Sequence, residues 1–298
     1  MAHPRADRRL TRLPLSGPWA LAPGLIVLGL LLAAGLGYAV AQSFGGFPGA
    51  GRVDRGVGAY RDLLGQRAAP DLWASAGFTL WVSAASTLLA TLLALMFIAW
   101  LDRPAGRGRR LATGLVHLNL AIPHVVWAVA LLLVLSQSGL VARSTAALGI
   151  IDTPAEFPVL VRDQFGAGII VHYATKEAPF LMLIGLALLR AQPRELGIVA
   201  DTLGARGVRR VRLVVIPSVL PGLAAASALV FAFVFGSYEA PVVLGVSSPR
   251  MLSVLGLDLF SSPDLAQRPP AMALGVLMSV AVCTVAWIAT RALVRKRT

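Results

Sequence analysis

The chain has 298 residues, of which 57% are apolar and 14% are charged, whereas a soluble domain has about 25% charged residues. Several apolar runs exceed the ~20 residues that a helix needs to cross a bilayer, and they do not alternate as barrel strands do. These features exclude a soluble fold and predict an all-α membrane protein. The single cysteine, Cys283, excludes an intramolecular disulfide and a cysteine-based metal cluster.

Six apolar spans are predicted along the chain. A basic leader, residues 1–18, precedes residues 19–71, which hold the first span and an outer loop; residues 72–293 form the core membrane domain, and 294–298 a basic tail. The spans cover 19–42, 72–101, 111–135, 166–189, 218–235 and 270–293, with loops at 43–71, 136–165 and 246–268. The first span is either an uncleaved helix or a signal peptide, since Ala39-Val40-Ala41 resembles a cleavage site. Its apolar part is longer than a signal core of 7–15 residues, which favours the helix.

The distribution of charge predicts the orientation. Six spans place both termini on one side, together with the turn at 102–110 and the stretch at 190–213. That side carries eighteen basic and four acidic residues, whereas the rest of the chain carries nine basic and ten acidic residues. By the positive-inside rule the first side, with both termini, is cytoplasmic. This placement accounts for the net charge of +13 without any nucleic-acid partner.

The third predicted span contains Pro123. A proline removes the helix hydrogen bond to the carbonyl four residues earlier, here that of Asn119, so we expect the helix to bend there. His117 and His124 are seven residues apart and should share one face of this helix. We interpret them as packing or interfacial histidines rather than as a metal pair.

The motifs of two enzyme classes are missing from the sequence. A P-loop requires a lysine after glycine and before serine or threonine, and neither Lys176 nor Lys296 has that context. An intramembrane serine protease requires a serine and a histidine within reach, and no nucleophile motif marks such a pair. We therefore expect no catalytic residue, no cofactor and no bound metal.

The fourth predicted span contains two charged residues. Charges inside a span are costly and often functional. Lys176 and Glu177 lie about thirteen residues, or roughly 20 Å along a helix, from the cytoplasmic end at Arg190. Tyr173, Glu177 and Phe180 share one helix face. Two interpretations stay open: the pair lines a substrate path, or it marks the outer membrane interface.

A second polar site interrupts the fifth span. The sequence Phe235 to Pro241 includes Gly236, Tyr238 and Glu239, and its glycine and proline should unwind the helix. Unwound backbone beside an acidic group is typical of a cation-binding or gating site. The alternative is an ordinary outer loop, with Tyr238 and Glu239 outside the path.

The stretch between the fourth and fifth spans has the composition of a docking segment. Its apolar residues have helical spacing, Gly204 allows a turn, and arginines follow. We expect the contact with a partner to be made by Leu196, Val199, Ala200, Thr202, Leu203, Gly204, Ala205, Arg206 and Arg209. A short helix of this kind either docks in a groove of a soluble protein or lies on anionic membrane lipid.

This stretch resembles the coupling loop of ABC importer permeases, the inner-membrane components of binding-protein-dependent transport systems. The resemblance rests on Gly204, on Val214-Val215-Ile216-Pro217 after a nine-residue gap, and on Leu220-Pro221-Gly222. The family's Glu-Ala-Ala positions read Ile198-Val199-Ala200, so its acidic residue is missing, unless Glu195 replaces it. Segments such as 172–180 and 235–245 resemble the polyamine-type, spermidine/putrescine-like branch.

The resemblance implies a type I ABC importer permease of six transmembrane helices in the bacterial inner membrane, with a coupling loop at 195–217. It further implies a cytoplasmic ABC ATPase dimer, a second permease subunit and an extracytoplasmic solute-binding protein. Glu177 and Glu239 motivate a small organic cation such as a polyamine as the solute. A secondary transporter or channel without an ATPase is the alternative, and an intramembrane enzyme is a third hypothesis.

Overall fold

The structure is a computed structural model that describes residues 21–45, 56–101, 107–205 and 207–295. Within these ranges all the regular secondary structure is helical, with no β-strand. The α-helices, in chain order, are α1 (Ala22–Ser43), α2 (Gly58–Leu64), α3 (Leu72–Leu101), α4 (Arg107–Ala121), α5 (His124–Leu135), α6 (Leu140–Ala147), α7 (Ala167–Arg190), α8 (Arg194–Thr202), α9 (Gly207–Arg210), α10 (Ile216–Gly236), α11 (Glu239–Leu244), α12 (Leu252–Ser261) and α13 (Arg268–Arg295). A π-helical turn, Val211–Val215, joins α9 to α10.

Six helical segments are long and apolar enough to cross a membrane, as predicted. They are Ala22–Ser43, Leu72–Leu101, His124–Ala147, Ala167–Arg190, Gly207–Gly236 and Leu265–Ile288, and Leu111–Ala121 is a shorter apolar helix. The predicted second span has the bounds of α3, and the predicted fourth span differs from α7 by one residue at each end. The predicted leader, residues 1–18, lies outside the described residues, as do Arg206 and residues 296–298 of the tail.

The predicted third span is broken rather than bent. α4 ends at Ala121 and α5 begins at His124, and Pro123 between them is extended, with φ −60° and ψ 147°. Because proline also disfavours helical backbone in the residue before it, the helix stops at this point. The prediction of one continuous helix over 111–135 is therefore wrong. The predicted position of the interruption, at Pro123, is confirmed. We call α4 and α5 together the broken third span.

Three segments predicted as loops contain helices. α2, α6 and α12 lie within 43–71, 136–165 and 246–268, respectively. Leu63 of α2 and Leu255 of α12 are buried in an apolar cluster with α13 and the start of α3. Short helices gain most of their stability from such packing and little from propensity, which explains why the loop predictions failed.

The main core lies between α3, α7 and α10, and it receives side chains from α5 and α11. Small residues allow α3 and α7 to approach closely. Ala90 and Ala94 of α3 are fully buried, and a Cβ on Gly185 of α7 would overlap Cδ1 of Ile98. Close approach at small residues is how membrane helices gain packing energy, since lipid is as apolar as leucine. This packing fixes the position of α7 beside the broken third span.

α1 has a different environment. Its packing within the chain is chiefly against α13, and most of its apolar side chains are exposed. The contact with the following segment is at its end, where the hydroxyls of Ser43 and Tyr60 are 2.8 Å apart. α1 contributes no residue to either apolar core cluster of the described chain. The core is therefore assembled from α2 to α13.

Candidate functional site

Lys176 binds the break in the third span. Its ammonium group donates hydrogen bonds to the backbone carbonyls of Asn119 and Ile122, the latter at 2.6 Å. Asn119 is the residue whose carbonyl loses its helical partner because Pro123 has no N–H. The side chain of Lys176 is buried, with 4% of its surface exposed. A buried ammonium thus bonds the carbonyls that the break leaves open.

Glu177 faces the other side of the same break. Its Oε1 lies 3.7 Å from Nε2 of His124, the first residue of α5. Glu177 is 8% exposed, and its Oε1 makes no hydrogen bond to another described residue. The same is true of Nδ1 of His124 within the described chain. The site therefore holds buried polar atoms whose hydrogen-bonding capacity is not met by the described residues.

Aromatic rings surround His124. Its ring centroid is 5.7 Å from that of His172, 5.2 Å from that of Phe233 and 6.5 Å from that of Tyr173. His172 and Tyr173 are almost completely buried and pack edge to face, with ring centroids 4.9 Å apart. These rings form a wall around the His124 ring and restrict its orientation.

The charged pair opens onto a cavity of about 520 Å³ between the broken third span, α7 and α10. Its lining combines the break, the charged pair and apolar residues of α10. The lining residues are Leu120, Ala121, Ile122, Pro123, His124, Lys176, Glu177, Phe180, Leu229, Val230 and Phe233. The volume lies in the range of small-molecule sites, which are mostly apolar with a few placed polar groups. We call this space the central cavity.

The predicted substrate-path residues fall into two groups. Lys176 and Glu177 line the central cavity and Tyr173 lies behind its wall. Both charged residues are buried near the middle of the 24-residue helix α7, and their place in a substrate path stays a prediction. Tyr238 and Glu239 are exposed at the break between α10 and α11, outside the lining of the cavity.

The role of His124 could not be predicted from the sequence. His117 and His124 are predicted to share one helix face, but the break places them on different helices. Nδ1 of His117 lies 2.7 Å from the carbonyl of Thr113 on its own helix and is exposed. The one feature that marks His124 in the sequence is its position directly after a proline in an apolar span. Its contact with Glu177 joins segments that are distant in the sequence. No periodicity in the sequence shows that contact.

The segment between α7 and α10 forms a surface with exposed apolar side chains. α8 covers Arg194–Thr202, and Leu196, Val199 and Leu203 are 46%, 55% and 74% exposed on one face. Thr202 and Arg209 are also exposed, whereas Ala200 and Ala205 are buried, and the amide of Ala205 donates to the carbonyl of Ala200. The predicted partner contacts are thus split between an outer face and an inner support. Arg206 lies outside the described residues.

Gly204 makes the turn that the sequence predicted. Its φ is +67°, in the left-handed region that favours glycine, and a Cβ added there would meet no atom within 4 Å. The backbone conformation, rather than lack of space, therefore requires glycine. The turn ends α8 and redirects the chain into α9 and the fifth span.

The model of the family described as binding-protein-dependent transport system inner membrane component matches residues 103–298. This chain belongs to that family. The permease is therefore a multi-pass protein of the bacterial inner membrane and a transport component of ABC importers.

Several relatives of the permease have been named. It is 30% identical over 207 residues to the molybdenum transport system permease protein ModB of Mycobacterium tuberculosis, covering 68% of this chain and 73% of that protein. It is 29% identical over 190 residues to the inner membrane ABC transporter permease protein YnjC of Escherichia coli, covering 63% and 34%. The thiamine transport system permease protein ThiP of Brucella abortus is 30% identical over 181 residues, covering 60% and 32%.

Solved structures support the fold. A bacterial ABC transporter involved in the import of the acidic polysaccharide alginate superimposes with a TM-score of 0.74 at 19% identity, over 94% of the permease and 97% of that chain. The likeness shows that the permease has the six-helix fold of a type I importer permease. The relatives that name a solute name molybdenum and thiamine, which does not support the expected polyamine branch.

Proposed function

We propose that the permease is a passive subunit of an ATP-driven importer, moved by a cytoplasmic ABC ATPase dimer that binds α8. The observation that carries the proposal is the exposed apolar face of Leu196, Val199 and Leu203 on a short helix between two spans. Exposed apolar residues of this kind fit a hydrophobic groove on a partner. The sequence contains no P-loop lysine, so the energy for transport comes from another chain.

Orientation and the remaining partners follow from the same proposal. The excess of arginine places α8 and both termini in the cytoplasm. A second permease subunit, identical or paralogous, completes the translocation path. A solute-binding protein delivers the solute to the opposite side, where the segment containing α6 lies. Membrane lipid surrounds the spans, and the exposed Arg209 lies where anionic headgroups are in reach.

The central cavity is the part of the path that this subunit contributes. Its polar lining includes Glu177 and His124, whereas two donors of Lys176 are bound by backbone carbonyls. A carboxylate oxygen accepts hydrogen bonds and donates none when ionised. The cavity therefore favours a small solute that carries hydrogen-bond donors. The names of the relatives supply two probes, molybdate and thiamine, of which only thiamine carries such donors.

The test is reconstitution in lipid vesicles with the permease alone, and with a second permease subunit, an ABC ATPase and a solute-binding protein from the same organism. We expect radiolabelled thiamine or molybdate to accumulate only with all components and ATP, with ADP as the control. Accumulation by the permease alone would identify a secondary transporter or channel and overturn the proposal.

A matched pair of variants tests the role of α8. Leu203→Glu places a charge on the proposed ATPase contact, while Leu148→Glu places one on an equally exposed leucine, 75% against 74%, in the segment on the opposite side. We expect Leu203→Glu to abolish co-purification of the ATPase and Leu148→Glu to leave it unchanged. Equal retention of the ATPase by both variants would show that α8 is not its contact.

A further inference from the structure

The two charged residues of α7 contact opposite ends of the broken third span. Lys176 bonds the carbonyls of Asn119 and Ile122 at the C-terminal end of α4. Glu177, the next residue, faces His124 at the N-terminal end of α5. Helix C-termini carry partial negative charge and helix N-termini partial positive charge. The cation and the anion are therefore each placed at the helix end of opposite sign.

The break makes this arrangement necessary. In a continuous helix the carbonyl of Asn119 accepts from the N–H of residue 123, and that of Ile122 from the N–H of Val126. Pro123 removes the first donor and ends the helix. The carbonyl of Asn119 keeps a 3.2 Å bond from the amide of Ile122 in a tighter turn, and Lys176 supplies the other donor. Unsatisfied backbone groups are costly in a membrane, so the lysine stabilises the break.

The chain continues directly from α7 to α8. Only Ala191, Gln192 and Pro193 separate the two helices, and the side-chain amide of Gln192 lies 3.4 Å from the carbonyl of Ser218 at the start of the fifth span. A displacement of α8 therefore acts on α7 through a short connection. Lys176 is the point at which α7 holds the end of α4.

We propose that Lys176 and Glu177 form a clamp that fixes both halves of the broken third span to α7, so that α4 follows α7 when the ATPase displaces α8. The coupling half of this inference rests on the proposed function, but the clamp itself does not. Lys176 acts as a positioning residue through the backbone of α4. The break allows the two halves of the span to change their angle, and the clamp sets that angle.

A double-mutant cycle in the full chain tests the clamp without any partner. Lys176→Met removes the donors at similar volume, and Pro123→Ala restores the missing N–H and allows a continuous helix. We expect Lys176→Met to lower the Tm of the purified permease by about 5 °C or more, and to lower it by less than half as much in the Pro123→Ala background. Lys176→Arg retains donors and charge and should recover most of the loss.

Each outcome of the cycle decides the question. An equal loss in both backgrounds would overturn the clamp, because the lysine would then act independently of the break. If Lys176→Met does not yield folded protein, the combination with Pro123→Ala should restore it. Failure of the combined variant to fold would also overturn the clamp.

A distance measurement tests the coupling. Spin labels at Leu115 on α4 and Ala187 on α7, both exposed, are introduced in a Cys283→Ser background. With the ATPase bound, we expect the same distance with and without ATP, and a nucleotide-dependent change after Lys176→Met. If the distance between the two labels depends on nucleotide in the protein that retains Lys176, the proposed coupling is wrong. Absence of ATPase binding in every variant would instead count against the proposed function, and the double-mutant cycle would still test the clamp.

Discussion

Replacement of Gly204 by valine is the sharpest test of the turn after α8. The backbone φ of +67° is open to glycine and strongly disfavoured for a β-branched residue, at a cost of order 1–3 kcal/mol. No atom lies within 4 Å of an added Cβ, so the cost comes from backbone strain and not from a clash. Asparagine tolerates left-handed backbone, so Gly204→Asn should remain close to the native protein.

The strain converts into a weaker affinity for the ATPase. A cost of about 2 kcal/mol lowers the equilibrium constant for forming the turn that presents α8 roughly 30-fold, since 1.4 kcal/mol is tenfold. The apparent Kd for the ATPase rises by up to about the same factor, because only the competent conformation binds. The assay is equilibrium binding of the purified ATPase to the permease in lipid nanodiscs, with fluorescence anisotropy as the signal.

Gly149 supplies the matched control. Its φ is +68°, a Cβ there would also meet nothing within 4 Å, and it follows α6 rather than α8. Gly149→Val therefore carries the same strain at a site away from the proposed contact and should leave the Kd unchanged. Equal weakening by both variants, or normal binding by Gly204→Val, would refute the assignment of this turn to ATPase coupling.

Two further predictions concern the central cavity and the core. Glu177→Gln should lower solute uptake by the complete importer about tenfold. Glu239→Gln removes the same charge outside the cavity lining and should change uptake by less than about twofold. A larger loss of uptake with Glu239→Gln than with Glu177→Gln would assign the path to the α10–α11 break. Gly185→Ala should destabilise the permease by about 1–3 kcal/mol through overlap with Cδ1 of Ile98, and Ile98→Val, which lacks that atom, should recover much of the loss in thermal unfolding; additive losses in the double variant would contradict this packing.

The sequence predicted the fold well where one physical signal dominated. α3 is an uninterrupted apolar run, so its bounds could be predicted to the residue. The left-handed turn at Gly204 and the interruption at Pro123 also follow from the backbone chemistry of glycine and proline. These features are local, and they depend little on what packs against them.

The site was predicted only in part because its chemistry depends on contacts between distant segments. Lys176 and Glu177 stood out as charges in an apolar span, but the carbonyl of Ile122 that binds the lysine is 54 residues away in sequence. Every residue has a backbone carbonyl, so the residue type does not indicate which carbonyls bind the lysine. His124 was assigned to packing together with His117, since nothing in the chain order indicates that His124 meets His172.

The pairing of α1 with α13 has a consequence for biosynthesis. α13 is synthesised after α2 to α12, so α1 stays in the bilayer without its packing partner while the intervening helices are made. A helix with polar side chains along its length would need an earlier companion. The described part of α1 has polar residues only near its end, at Tyr38, Gln42 and Ser43. Its uniform lipid-compatible surface thus permits α1 to pair with α13 after the helices between them have been inserted.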